Sequence, residues 1–170
     1  VISDDFNACE LNTTAWTFED PVGDSSLSLN GTQALITVPA GVEHRIWGYS
    51  DLDYYVDVPR LVQPADDGDF TLELKFESSI TSDFHSQGVF FREDVNDLMF
   101  IHFGYDGSNG TEISALKLVE GDGQNLGDWG VSVDVLDVEP LSMRIQRTGD
   151  IWTVWFSTND GADWILYKTF

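Results

Sequence analysis

The sequence has one cysteine, few basic residues and no long apolar run. With Cys9 alone, no internal disulfide can form, and a single cysteine is more often a small buried residue than a nucleophile. No apolar stretch reaches the ~18 residues that predict a membrane-spanning helix, and no leader of the secretory type is present. A 170-residue chain buries enough apolar surface to fold without such supports.

Positive charge is scarce. Eight lysines and arginines stand against thirty acidic residues, which gives a net charge of −22. Such a field repels phosphate backbones and anionic lipid, so nucleic-acid binding and membrane insertion are not expected. The acidity has two compatible interpretations: a solvated surface suited to salty or extracellular surroundings, and local carboxylate clusters that bind divalent cations.

The chain consists mainly of short segments in which apolar and polar residues alternate, separated by turn residues. In Phe70–Glu77, apolar side chains alternate with polar ones, which is typical of a half-buried antiparallel strand. Asn30-Gly31 lies between two such segments and predicts a hairpin. Helical periodicity is missing, so the sequence predicts an all-β, two-sheet antiparallel sandwich with little helix. Further strands are predicted at Gln87–Arg92, Leu98–Tyr105, Glu112–Val119, Val131–Val135, Leu141–Thr148, Ile151–Ser157 and Trp164–Phe170.

Motifs along nearly the whole chain resemble one family. They include the opening Ser3-Asp4-Asp5-Phe6-Asn7, Pro59-Arg60-Leu61, Gln87-Gly88-Val89-Phe90-Phe91, Asp97-Leu98-Met99-Phe100 and Gly149-Asp150-Ile151-Trp152-Thr153. The segment from Ser157 to Trp164 has the form S-x-N-x-G-x-x-W and looks like an Asp-box, a stabilising hairpin turn of secreted β-proteins. Together they are similar to the concanavalin-A-like jelly-roll domains that occur as modules of secreted microbial glycosidases and surface proteins.

The resemblance implies a single jelly-roll domain over residues 1–170 that lacks the family's final C-terminal strand. It also implies a structural Ca²⁺, held by Asp4 or Asp5 and the backbone of the turn at Gly31. Carboxylates and carbonyls suit Ca²⁺, whereas no His/Cys cluster for zinc is visible in the sequence. The alternative is a surface acidic pair without an ion.

No complete catalytic motif is found. Glu73 and Glu77 lie four residues apart on one strand, ~13 Å by the rise per residue, which is too far for a pair of hydrolytic carboxylates. No G-x-S-x-G sequence supports a serine nucleophile near the three histidines. The chain is therefore expected not to be an enzyme, with a glycoside hydrolase as the weaker alternative.

A ligand site is expected where aromatic rings and hydrogen-bonding side chains meet on a concave sheet face or its rim. Gln87 is expected beside Phe100 and His102 on that face, with Arg92 on the other side of the sheet. The full set of expected glycan-binding residues is Trp47, Arg60, His85, Gln87, Phe100, His102 and Trp129.

The sequence as a whole favours an extracellular, secreted or cell-surface module that binds a polysaccharide or other glycan without catalysing its hydrolysis. Other domains of a larger secreted protein are the expected partners. The structural alternative is an adhesion or filament domain, for which large apolar edge strands would be the sign.

Calcium binding gives the first testable prediction. An ion bound only by the folded chain stabilises it by about 2.7 kcal/mol at a hundred-fold excess over Kd. The melting temperature should therefore be higher in millimolar CaCl₂ than after complete removal of metal by EDTA. Equal melting temperatures would contradict a site at Asp4, Asp5 and Gly31.

Overall fold

The computed structural model describes residues 1–46, 56–94, 97–107, 110–119, 122–126, 131–132 and 140–170. Every regular element in these ranges is a β-strand, and no helix able to span a membrane occurs in them. The strands are β1 (Thr17–Glu19), β2 (Ser26–Leu29), β3 (Ala34–Thr37), β4 (Arg60–Val62), β5 (Phe70–Phe76), β6 (Ser86–Arg92), β7 (Leu98–Asp106), β8 (Gly110–Val119), β9 (Asp122–Asn125), β10 (Val131–Ser132), β11 (Leu141–Thr148), β12 (Ile151–Ser157) and β13 (Ile165–Thr169).

The chain divides into two compact units, Val1–Asp67 and Gly68–Phe170. In the first unit β1 pairs with β4, and β2 pairs with β3 as the expected hairpin. The side chain of Asn30 accepts hydrogen bonds from the backbone N–H groups of Thr32 and Gln33, and Gly31 takes a φ of +88°. The turn residues thus act through the chemistry that the sequence indicated. The prediction of one domain over residues 1–170 stays a prediction.

The second unit contains two antiparallel sheets. One has the order β10-β8-β7-β6, with β9 also paired to β8, and the other has the order β13-β12-β11-β5. Their facing side chains form one apolar core, to which β7 and β8 contribute from one sheet and β11 and β12 from the other. The core residues are Met99, Ile101, Phe103, Ile113, Ala115, Leu141, Met143, Ile145, Val154 and Phe156. The predicted all-β sandwich with little helix is confirmed, while the jelly-roll family assignment stays a prediction.

Strand alternation decides what enters this core. Along β5 the apolar residues are half-buried, and the residues between them are exposed. The half-buried residues are Phe70, Leu72, Leu74 and Phe76. The ring of Phe76 meets that of Phe103 edge-on, with centroids 5.8 Å apart. Aromatic contacts therefore join the two sheets in addition to the aliphatic core.

Trp152 is also a core residue. Its ring lies 4.8 Å from the ring of Phe91 and 5.5 Å from that of Phe70, and it packs against the apolar core. The backbone groups of Trp152 and Phe170 exchange hydrogen bonds of 2.9 and 3.0 Å. The end of the chain is consequently held beside β12.

The turn between β12 and β13 is built around Ser157, whose side chain is fully buried. Its Oγ accepts hydrogen bonds from the backbone N–H groups of Gly161 and Asn159, and Asn159 Oδ1 accepts one from the N–H of Asp163. These bonds satisfy the turn backbone from within. The finer Asp-box assignment stays a prediction.

Three strands were not predicted: β1, β4 and β9, each of three or four residues. Strands this short contain too few alternating positions to be recognised in the sequence. They are defined by their pairing with neighbouring strands. β10 was predicted at Val131–Val135 and is present at Val131–Ser132; residues 133–139 lie outside the described part of the chain.

Gly88 allows an unusually close approach between β6 and β7. It lies opposite His102, and a Cβ placed on it would collide with the carbonyl oxygen of Ile101 and lie 2.6 Å from the Cα of His102. Backbone atoms cannot move aside as a flexible side chain can. Only glycine therefore fits at this position.

Substitution of Gly88 tests this packing. Gly88→Ala should destabilise the protein by about 1–3 kcal/mol, the usual cost of overpacking, measured by urea unfolding. Gly68→Ala is the matched control, because a Cβ at Gly68 meets nothing within 4 Å; its effect should stay within about 0.5 kcal/mol. Equal effects of the two substitutions would contradict the close approach.

Candidate functional site

The residues expected to bind Ca²⁺ lie in the first unit. Asp4 accepts hydrogen bonds from the backbone N–H of Phe6 at 2.8 Å and from the indole N–H of Trp16 at 3.1 Å. Asp5 accepts from both the backbone and the side chain of Asn7. These carboxylates thus shape the opening turn, in which Phe6 has a φ of +52°. Calcium at Asp4, Asp5 and Gly31 stays a prediction.

The expected glycan-binding residues do not form one group. Trp47 and Trp129 lie outside the described residues. Arg60 belongs to the first unit, where its side chain is 12% exposed. Its guanidinium donates to Glu19 Oε2 at 2.6 Å and to the carbonyl of Val56 at 2.7 Å. These bonds between β1, β4 and the segment before β4 give Arg60 a structural role.

Gln87 does not lie beside Phe100 and His102. The pairing of β6 with β7 is continuous, with Gln87 opposite Phe103 and Gly88 opposite His102. Residues paired directly share a face, so Gln87 points to the core side, where its amide donates to the carbonyl of Ser78 at 2.8 Å. It is Arg92, four residues after Gly88, that shares the face of His102. The expectation had these two residues reversed.

We call the side of the β6–β8 sheet that faces away from the core the histidine face. Its residues are Gly88, Phe90, Arg92, Leu98, Phe100, His102, Ser114, Leu116 and Leu118. The imidazole of His102 stacks on the ring of Phe100, with centroids 4.4 Å apart and planes 6° from parallel. Burial lowers the pKa of His102 to about 4, so the ring is neutral at neutral pH.

The histidine face is closed at its centre. Phe100 is only 7% exposed, and Leu98 and Leu118 are buried as well. The Nδ1 atom of His102 is buried and has no hydrogen-bond partner among the described residues. An aromatic ring so deeply buried offers no platform to a polysaccharide. His85 lies apart, exposed in the loop before β6, beside Phe84 with its φ of +64°.

The other sheet has an outward side that the sequence analysis did not select, which we call the open face. Because Val154 and Phe156 point into the core, Trp155 between them points outward. The register places Trp155 in a row with Arg144, Glu73 and Leu166. A neighbouring row contains Thr71, Gln146, Thr153 and Thr169.

The open face combines one half-buried aromatic ring with hydrogen-bonding groups. Arg144 donates to Glu73 Oε1 at 2.8 Å, and its guanidinium lies 4.0 Å from the ring centroid of Trp164. Thr71, Glu73, Gln146 and Thr169 are exposed. Hydroxyl, amide and carboxylate groups around an indole are the chemistry that binds a sugar ring.

Lys75 stands at one end of the open face. Its ammonium lies 2.9 Å from a carboxylate oxygen of Asp160 and 3.3 Å from one of Glu77. Hydrogen bonds with Asp160 and Glu77 raise the pKa of Lys75. The bond to Asp160 links β5 to the turn after β12, whereas Glu77 directly follows β5 itself.

The open face could have been found from the sequence. In β12, Trp152 belongs to the core, and a residue three positions further along a strand must point to the opposite side. The sequence analysis did not examine Trp155. The signal was the alternation itself.

Comparisons with known proteins find solved structures of similar fold. No family model and no curated protein matches the chain. Among solved structures it is similar to a variant of the GH43 protein BlXynB from Bacillus licheniformis, with a TM-score of 0.73 and 16% identity. It is also similar to xylan beta-1,4-xylosidase from Bacillus halodurans C-125, with a TM-score of 0.62 and 16% identity. Each match covers 98% of this chain and 30% of the other.

These matches show the fold alone, a β-sandwich, because the sequence identity is 16% in both. The expectation that the chain is not an enzyme is contradicted, because the structures that share its fold are GH43 glycosidases. The absence of a complete catalytic motif in this chain was the wrong criterion for deciding whether it belongs to an enzyme. This chain spans only 30% of those proteins, so a relation to an enzyme does not require a complete catalytic motif here.

The buried His102 predicts a pH dependence. Below pH 6.5 the unfolded chain takes up a proton on this ring, whereas the folded chain does so only near pH 4. The free energy of unfolding should therefore fall by about 2–3 kcal/mol from this group between pH 7 and 4.5. Urea unfolding of the wild type and His102→Gln at both pH values measures the difference. The exposed His85→Gln is the control and should retain the full fall; an unchanged fall in His102→Gln would contradict the assignment.

Proposed function

We propose that this chain is a β-sandwich module of a xylan-directed glycoside hydrolase and that it binds the polysaccharide on its open face. The observation that carries the proposal is Trp155, an indole set in the centre of an exposed four-stranded face among groups that can bond sugar hydroxyls. The likeness to GH43 structures supports the choice of substrate class. This replaces the closed histidine face as the site.

The chemistry of a sugar ring matches this arrangement. A pyranose has apolar C–H faces, which pack on an aromatic ring, and hydroxyl groups at its edges, which need donors and acceptors. Trp155 offers the first contact, and Gln146, Thr153 and Glu73 lie in the same or the neighbouring row to offer the second.

The size of the face favours a chain of sugars over one. Adjacent strands lie ~4.8 Å apart, so the row from Glu73 through Arg144 and Trp155 to Leu166 extends across ~14 Å. A net charge of −22 disfavours strongly anionic polysaccharides. A neutral, extended polysaccharide such as unsubstituted xylan is the ligand that fits both features.

Protein contact is a second candidate role, favoured by one observation. In β13, Ile165 is 51% exposed and Leu166 is 57% exposed, and no described strand pairs with the outer edge of β13. Such an edge is suited to packing against another domain. A neighbouring domain of a longer, extracellular protein would be its partner, in keeping with the coverage of 30% of the xylosidase chains.

Binding to xylan tests the proposal. The wild-type chain should be retarded in affinity electrophoresis on soluble xylan and should bind xylo-oligosaccharides in calorimetry. Trp155→Ala should weaken binding at least tenfold, about 1.4 kcal/mol, because the indole is the only aromatic platform at the centre of the face as described. Far-UV circular dichroism and urea unfolding verify that the variant is folded.

Two matched controls separate the open face from other sites. Phe84→Ala removes a ring that is 93% exposed elsewhere, and His102→Gln changes the histidine face; both should bind xylan as the wild type does. No retardation of the wild type would favour the protein-contact role. Binding lost in His102→Gln but kept in Trp155→Ala would move the site to the histidine face.

A further inference from the structure

Three potential metal ligands, Asp20, Asp24 and His44, meet in the first unit. Asp20 follows β1, Asp24 lies in the turn before β2, and His44 lies in the segment after β3. One ligand atom from each can be chosen so that all three lie within 4.8 Å of one another. We call these residues the Asp–His cluster. The sequence analysis found no such cluster, because its members come from segments up to 24 residues apart.

Local structure positions the two carboxylates. Asp20 Oδ2 accepts a hydrogen bond of 2.8 Å from the backbone N–H of Ser25, which folds the segment 20–25 back on itself. Gly23, with a φ of +81°, provides the left-handed conformation within this turn. The fold-back brings Asp24 close to Asp20. His44 then approaches from the other segment, with its Nε2 at 2.7 Å from Asp24 Oδ1.

Two atoms of the cluster lack partners. Asp20 Oδ1 and His44 Nδ1 are buried and have no hydrogen-bond partner among the described residues. The side chain of His44 is only 5% exposed. A buried acceptor without a partner is costly, more so when it is charged, and native structures compensate such groups with water or an ion. The bond from Ser25 satisfies only one oxygen of Asp20, so its second oxygen remains to be compensated.

We propose that Asp20, Asp24 and His44 bind a divalent transition metal, with Zn²⁺ as its representative. Imidazole nitrogen and carboxylate oxygen are both ligands of Zn²⁺, which can take three protein ligands and a fourth from water or a neighbouring group. Ca²⁺ takes six to eight oxygen ligands, and an imidazole does not suit it. This site differs in residues and in metal from the calcium site expected at Asp4 and Asp5.

The distances require little rearrangement. Tetrahedral ligands at ~2.0–2.1 Å from Zn²⁺ lie ~3.3 Å from one another. The present separation of 2.7 Å between His44 Nε2 and Asp24 Oδ1 is that of a hydrogen bond. Replacement of the hydrogen-bonded proton by the ion needs this pair to separate by about 0.6 Å. The ligand atom of Asp20 lies within 4.8 Å of the other two and must approach them by at most about 1.5 Å.

The bound ion would join the turn before β2 to the segment after β3. Both ends of the β2–β3 hairpin are thereby fixed at one point, which gives the metal a structural role in the first unit. The open face lies in the second unit, so this inference is independent of the proposed function.

Calorimetric titration of the chelator-treated chain with ZnCl₂ tests the site. We expect one ion bound per chain, a higher melting temperature with Zn²⁺ than without it, and much weaker binding of CaCl₂. His44→Gln and Asp20→Asn should each weaken Zn²⁺ binding at least tenfold. Asp20→Asn keeps an oxygen for the N–H of Ser25, so it tests the ligand even if His44→Gln fails to fold.

Matched controls use residues of the same types outside the cluster. His85→Gln removes an exposed histidine and Asp66→Asn an exposed aspartate, and both should bind Zn²⁺ as the wild type does. Absence of Zn²⁺ binding by the wild type would overturn the proposal. The proposal would also be overturned if Asp20→Asn and His44→Gln both bound Zn²⁺ with wild-type affinity. A third contradicting result would be that the wild type binds Ca²⁺ more tightly than Zn²⁺ and that the same substitutions abolish this Ca²⁺ binding.

Discussion

The packing of β7 and β8 against β11 and β12 is the constraint on which the second unit depends. Ile101, Phe103, Met143, Ile145 and Val154 are all buried in that one seam. Side chains along a strand point alternately to the two faces of a sheet. Because this set is buried, the residues between its members in the same strands point away from the core. A slip of one residue in β12 would exchange Val154 with Trp155. The composition of the outward faces is thus a consequence of what the core requires.

The strands could be predicted from the sequence because alternation is a local signal. The pattern in Phe70–Phe76 and the turn chemistry at Asn30 each depend on neighbours within a few residues. Which residues of different strands lie side by side could not be predicted as well, since that depends on register between distant strands. Whether Gln87 or Arg92 accompanies His102 is decided by which residue of β6 faces it, and Gly88 occupies that position.

Arg60, one of the few basic residues, was expected to bind a ligand, and the structure gives a different use for it and for several other basic residues. Arg60 pairs with Glu19, Arg144 with Glu73, and Lys75 with Asp160. Each pair joins segments that are distant in the sequence. In a chain with thirty acidic groups, a cation lowers the repulsion between the segments it joins. Its partner lies 41 residues away for Arg60 and 71 for Arg144, which sequence spacing cannot reveal.

The exposed edge of β13 has a consequence for colloidal behaviour. An exposed edge strand can pair with the same strand of a second molecule. At low ionic strength the charge of −22 keeps two such molecules apart, because the Debye length is about 10 Å at 0.1 M salt. At 1 M salt it shrinks to about 3 Å, and the repulsion no longer protects the edge. The acidity that disfavours anionic partners is therefore also expected to act as a salt-dependent barrier to self-association through Ile165 and Leu166.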